Sequence, residues 1–170
     1  MVYKIDDVVV YGCEGICKIA EITEMSFGSD DKKSQYYILT PISSNGAKVF
    51  VPCDNEMLVS KMQNVLSAKD IEEMISSVDE LPEWISDNRN RNKAFKEILQ
   101  TYDRKKILSL AKLLCIVKKE KDPQRRMLAS DEEILKKVIR ILHAEFSMAL
   151  KIEIDQVVPY IFKEIKCEQK

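Results

Sequence analysis

Histidine occurs once in this 170-residue chain, tryptophan once and glycine four times, and each scarcity closes off a class of function. All four glycines (Gly12, Gly15, Gly28, Gly46) lie in the first 46 residues. Loops that cradle phosphate need glycine, because backbone N–H groups must approach the ligand closely. With none after Gly46, neither GxxxxGK[ST] nor GxGxxG occurs, which argues against P-loop NTPases and Rossmann oxidoreductases. The single histidine stands in His143-Ala144-Glu145. Residues two apart on a helix point to different sides, so this is not an acid–base pair. A cysteine nucleophile needs a histidine partner, and the sequence places none beside one. Carboxylate pairs fall on charged helix faces, where solvation accounts for them. No catalytic constellation emerges, so a non-enzyme without a small-molecule substrate is expected.

Long apolar runs are missing too. No stretch approaches the ~20 residues of a transmembrane helix. The opening Met1-Val2-Tyr3-Lys4-Ile5-Asp6-Asp7 turns acidic without a secretory layout, so a cytoplasmic protein with no membrane partner is expected. The five cysteines (Cys13, Cys17, Cys53, Cys115, Cys167) are odd in number and scattered. That is a poor disulfide framework and suits a reducing compartment. Cys13 and Cys17 lack the further Cys or His ligands that zinc requires, so no metal and no other cofactor is expected. The cysteines read as small apolar fillers.

Charge is present in a telling pattern. The net value of −1 conceals a basic block: residues 85–126 carry 13 Lys/Arg against 5 acids. Residues 1–60 carry 5 against 9 and residues 61–84 carry 2 against 6. Such a block in a neutral protein suggests a nucleic-acid-facing surface; the alternative is helices with solvated lysines.

The chain has two grammars. Strand-like runs fill the first part: Val8–Tyr11, Ile16–Ile22, Tyr36–Thr40 and Lys48–Val51. Turn chemistry separates them at Gly12-Cys13-Glu14-Gly15, Phe27–Asp31 and Ser43-Ser44-Asn45-Gly46, the last a hairpin signal. Short strands with tight turns predict a small antiparallel β-barrel over residues 1–60. Helical spacing follows over residues 61–170, giving an α+β chain with about five helices. The first starts near Ser67 and carries Ile71, Met74, Ile75 and Val78; the second runs from about Asn88 to Thr101 with Phe95, Ile98 and Leu99 on one face. Asp103 caps the third, with Ile107, Leu110, Ala111, Leu114 and Val117. Ser130-Asp131-Glu132-Glu133 has the form of a capping box for the fourth, which carries Ile134, Leu135, Val138, Ile141, Leu142, Glu145 and Ala149. The last runs from about Asp155 to Ile165, with Pro159 near its first turn.

Trp84 sits in the polar stretch Leu81–Asn88, directly before Arg89, Arg91, Lys93 and Lys96. Two readings stand side by side: a tryptophan pinned into the helical core, or an aromatic wedge beside phosphate-binding cations.

These residues also carry a family likeness. The opening Tyr3–Ile16, the strand-to-proline close Val49-Phe50-Val51-Pro52, Trp84 with its basic followers, and Ile141–Glu145 come in a distinctive order. The chain resembles the CarD/CdnL family of bacterial RNA polymerase-binding transcription regulators over nearly its full length. The opening motif is shared with the polymerase-interaction domain of transcription-repair coupling factors. The resemblance implies an N-terminal Tudor-like barrel that docks on the polymerase β subunit, and a helical domain on promoter DNA. It implies that Trp84 wedges into the minor groove and favours the open complex. Arg89, Arg91, Lys93 and Lys96 would then meet DNA phosphates, largely without reading sequence. Met25, Lys48 and Phe50 would face the polymerase. Met25 and Phe50 stand where well-known members have basic residues, which implies a more apolar contact. Ser130–Glu133 brings acids where some members place a basic DNA contact, and the segment from Trp84 to Ala94 is a few residues longer than in some members. The competing reading is a protein–protein adaptor that adds a strand at the barrel edge without touching DNA.

Overall fold

The computed structural model describes residues 3–26, 33–42, 46–120 and 123–161. The expected turn at Phe27–Asp31, most of the Ser43–Gly46 turn, and the last helix beyond residue 161 lie outside the described residues. The chain divides into two compact units, Met1–Val65 and Leu66–Lys170.

The first unit holds strands β1 (Val8–Tyr11), β2 (Gly15–Met25), β3 (Ser34–Pro41) and β4 (Val49–Pro52), then a single-turn helix α1 (Glu56–Val59) and strand β5 (Met62–Asn64). They form one antiparallel sheet in the order β4-β3-β2-β1-β5. The expected α+β class holds, but the sheet is open rather than a closed barrel. Its edge strands are only four and three residues long and do not pair with each other. The chain between them forms α1 instead, which lays Leu58 and Val59 against the sheet's core.

A bulge decides which side chains enter that core. Ile19 pairs with Leu39 but Glu21 pairs with Ile38, so Ala20 is the extra residue. The insertion shifts the two-residue alternation: Cys17 and Ile19 point inward before it, and Ile22 rather than Glu21 after it. Tyr3, Val9, Tyr37, Leu39, Val51 and Met62 complete the cluster. The opening motif is built to close it. Asp7 accepts the Lys4 N–H at 2.7 Å, and Tyr3 donates its buried hydroxyl to the Met62 carbonyl at 2.7 Å. Gly15 supplies the turn from β1 to β2 at φ 75°, ψ −142°, a region other residues avoid.

Cys17 is fully buried, and that burial, with Glu14 nearby, pushes its thiol up to about 11. The thiolate is the reactive form. Cys17 is therefore expected to resist alkylation by iodoacetamide at pH 8 in the native protein and to react once urea exposes it. Peptide mapping of the labelled chain reads this; rapid native labelling would contradict the burial.

The second unit contains α2 (Ala68–Ser76), α3 (Asn88–Gln100), α4 (Arg104–Glu120), α5 (Ala129–Leu150) and a helical stretch at residues 157–161. Ser67 and Asp70 cap α2 reciprocally, and Asp103 accepts the Lys106 N–H at the start of α4. Pro159 sits in the first turn of the last helix, where its missing N–H has no helical partner to lose. The core joins Ile71 and Ile75 of α2, Phe95 of α3, Ile107, Leu110 and Leu114 of α4, and Leu142 and Phe146 of α5. One cap differs from the expected Ser130/Glu133 box. Helix α5 starts two residues earlier, and Asp131 rather than Glu133 turns back to accept the Leu128 N–H at 2.9 Å. Short β5, α1 and the 3-10 turns at Pro123–Arg125 and Ile154–Gln156 are too brief to leave a periodic signal.

Candidate functional site

Helix α3 sorts its cations onto opposite sides. Arg89, Lys93 and Lys96 are exposed and recur at helical spacing, forming one outward stripe. Lys93 comes within 3.9 Å of Glu97 on the surface; Arg89 and Lys96 have no ion pair among the described residues. Arg91 is different. It stands four residues before Phe95 and eight before Leu99, so it lies on the buried stripe, with only 2% of its surface exposed. The structure thus separates Arg91 from the three cations it was grouped with.

Burying a guanidinium is costly unless all its donors find acceptors, and here they do. Nε and Nη2 donate to the two Asp131 carboxylate oxygens at 3.0 and 2.8 Å. Nη1 donates to the carbonyls of Ile85 at 2.7 Å and Ser86 at 3.2 Å. Nη2 also donates to Asn88 Oδ1 at 3.2 Å. Asp131 is itself completely buried.

Trp84 lies against this group. The Arg91 guanidinium carbon sits 4.2 Å from the centre of the indole ring, a cation–π contact. The Phe95 ring lies 6.3 Å away, tilted by 54°. Trp84 is half-buried and packs on the edge of the helical core. The ring is therefore anchored in the core's margin and still reaches the surface. The segment leading to it is held from α4. Lys112 Nζ donates to the carbonyls of Ile75 at 2.9 Å and Val78 at 3.0 Å, and the Ser109 hydroxyl donates to that of Glu80.

The outward stripe borders an open groove of about 420 Å³ lined by Asn88, Arg89, Asn92, Lys96, Ser130, Glu133, Ile134 and Lys137. Asn92 and Lys137 join the candidate surface from positions the sequence reading passed over. Lys137 lies 48 residues from Arg89 and joins it in the groove only because α5 packs on α3. Glu133 is the one acid among these lining residues.

His143 and Glu145 do not act together. Glu145 is buried and accepts two hydrogen bonds from Arg104, each 2.8 Å, and one from the Leu66 N–H at 2.9 Å. Burial pushes the His143 imidazole below its ordinary value, and its Nε2 has no hydrogen-bond partner among the described residues. Among the described residues no three His, Cys, Asp or Glu side chains gather as a metal site, and no helix is long and apolar enough to cross a membrane.

In the sheet unit, register places Met25 and Phe50 on one face. Met25 pairs with Ser34, and Phe50 with Ile38; Ser34, Tyr36 and Ile38 alternate away from the core residues Tyr37 and Leu39. Phe50 is 40% exposed and Met25 is half-buried. Lys48 is exposed just before β4.

A small sheet that turns apolar side chains outward on one face has the build of a protein-interaction module. Residues 3–64 match the CarD-like/TRCF RID domain, which supports a CarD-like, RNA polymerase-interacting type for this unit. The match spans the sheet unit and stops before the helical one. No curated protein matches the chain.

Proposed function

We propose that this protein is a cytoplasmic transcription regulator that holds RNA polymerase with one unit and promoter DNA with the other. The sheet unit binds the β subunit through the face bearing Met25 and Phe50, with Lys48 beside it. The helical unit binds DNA in the minor groove with little sequence preference. Arg89, Lys93 and Lys96 neutralise phosphates, and Trp84 wedges at a base step and prolongs the open complex. The match of residues 3–64 to the CarD-like/TRCF RID domain carries this reading. The exposed cation stripe on α3 and a half-buried tryptophan just before that helix support its DNA half.

Replacing Trp84 by alanine tests it. The variant is expected to pull down polymerase as well as the parent, while open-complex lifetime falls by about tenfold, the scale of one lost base–aromatic contact. An unchanged lifetime would sink the wedge. The open edges β4 and β5 support a second reading, an adaptor that adds a strand of its partner and leaves DNA alone. Crosslinking within the polymerase–promoter complex separates the two, since the adaptor gives no DNA crosslink at residues 84–96.

A further inference from the structure

The segment that presents Trp84 has no secondary structure of its own. Residues 77–87 join α2 to α3 without a helix or strand, so no backbone ladder fixes them. Their carbonyls are instead engaged by side chains from the helices. On the upstream side, Lys112 and Ser109 hold the carbonyls of Val78 and Glu80. On the downstream side, one guanidinium holds those of Ile85 and Ser86 and stacks on the Trp84 ring. That guanidinium is fixed in turn by Asp131, whose second role is to cap the first turn of α5 through the Leu128 N–H. Ser130 adds a hydrogen bond to Asn88 at 3.2 Å, alongside the Asn88–Arg91 contact.

We propose that Arg91 is a positioning residue: the buried Arg91–Asp131 pair latches the Trp84 segment onto the start of α5 and sets the orientation of the indole, while Arg91 itself meets no phosphate. The part concerning DNA rests on the wedge reading above; the latch does not. A lysine cannot take this role. It has no planar fork to meet both carboxylate oxygens while also reaching two carbonyls, whereas Arg91 uses all five N–H groups at once. Asp131 likewise suits the position because its short side chain reaches both the α5 N-terminus and the guanidinium.

Trp84 is the only tryptophan, so the intrinsic fluorescence of the full chain reports on this ring alone. In the parent protein the ring is expected to depolarise with its whole unit, with no fast local component. In Arg91→Lys and Asp131→Asn, emission is expected to shift to longer wavelength and the acrylamide quenching constant to rise about twofold or more, at temperatures where the circular dichroism is still native. Glu145→Gln is the control. It removes the charge from the other buried pair of the same unit and is expected to lower the unfolding temperature with Trp84 emission unchanged. Binding to a short A·T-rich duplex supplies the second readout. Arg89→Gln and Lys93→Gln are each expected to reduce the slope of log K against log salt by about one, and Arg91→Gln to leave it unchanged.

Fast local depolarisation in the parent overturns the latch. So does unchanged quenching in both Arg91→Lys and Asp131→Asn. A fall in the Arg91→Gln salt slope equal to that of Arg89→Gln returns Arg91 to the phosphate contacts and overturns the assignment. If the parent binds no duplex, the DNA reading fails, and the fluorescence arms still decide the latch.

Discussion

Asp131→Ala is expected to destabilise the helical unit by about 3–5 kcal/mol, the cost of leaving one member of a buried ion pair without the other. The residue is completely buried and lies 2.8 Å from a guanidinium that is 2% exposed. Truncation leaves two Arg91 donors without acceptors in a site water does not reach, and frees the Leu128 N–H at the head of α5. The double replacement Arg91→Leu with Asp131→Leu is expected to cost less than Asp131→Ala alone, because neither charge is then stranded. That double variant separates stability from positioning. It regains much of the lost unfolding free energy while Trp84 stays loose, since the Ile85 and Ser86 carbonyls have lost their donor. Urea unfolding followed by circular dichroism gives the free energies. A cost below about 1 kcal/mol for Asp131→Ala would mean that the pair behaves like one on the surface.

The Arg91–Asp131 pair also shows where the sequence was legible and where it was not. Helical spacing in α3 lines up Arg91 with Phe95 and Leu99, and in α5 it lines up Asp131 with Ile134, Leu135, Val138 and Leu142. A basic residue on one apolar stripe and an acid on another is the signature of a buried pair. Grouping Arg91 with Arg89 and Lys93 by closeness in sequence missed it, because neighbours in a helix point in different directions. Glu145 shares the α5 stripe, but its partner Arg104 is the first residue of α4, ahead of that helix's apolar run, so that pair had only half a signal. Strand content, the turn glycine Gly15 and the capping of α2 followed from local chemistry. Closure of the sheet did not. Whether edge strands meet depends on the course of the whole chain, and here the residues between β4 and β5 form α1. Lys137 was invisible for the same reason, since only the packing of α5 on α3 brings it to the groove.

Glu145→Ala is expected to have the second-largest effect, about 3–4 kcal/mol, with a local signature that separates it from the first. Glu145 is 3% exposed, and its three accepted hydrogen bonds reach Arg104 twice and the Leu66 N–H once. Arg104 keeps 18% of its surface in contact with solvent, so water can satisfy part of it when the carboxylate goes. The Leu66 amide is placed differently. It precedes α2, belongs to no helix, and among the described residues donates to no backbone carbonyl in place of the Glu145 oxygen. Amide exchange at Leu66 is therefore expected to lose most of its protection in Glu145→Ala, whereas Glu145→Gln, which retains a carbonyl oxygen, keeps part of it and costs about 1–3 kcal/mol. Leu66 is the first residue of the helical unit. The buried carboxylate thus fixes where the chain enters that unit, a structural duty for a residue that sits two positions from the only histidine and spends its oxygens on Arg104 and Leu66 instead.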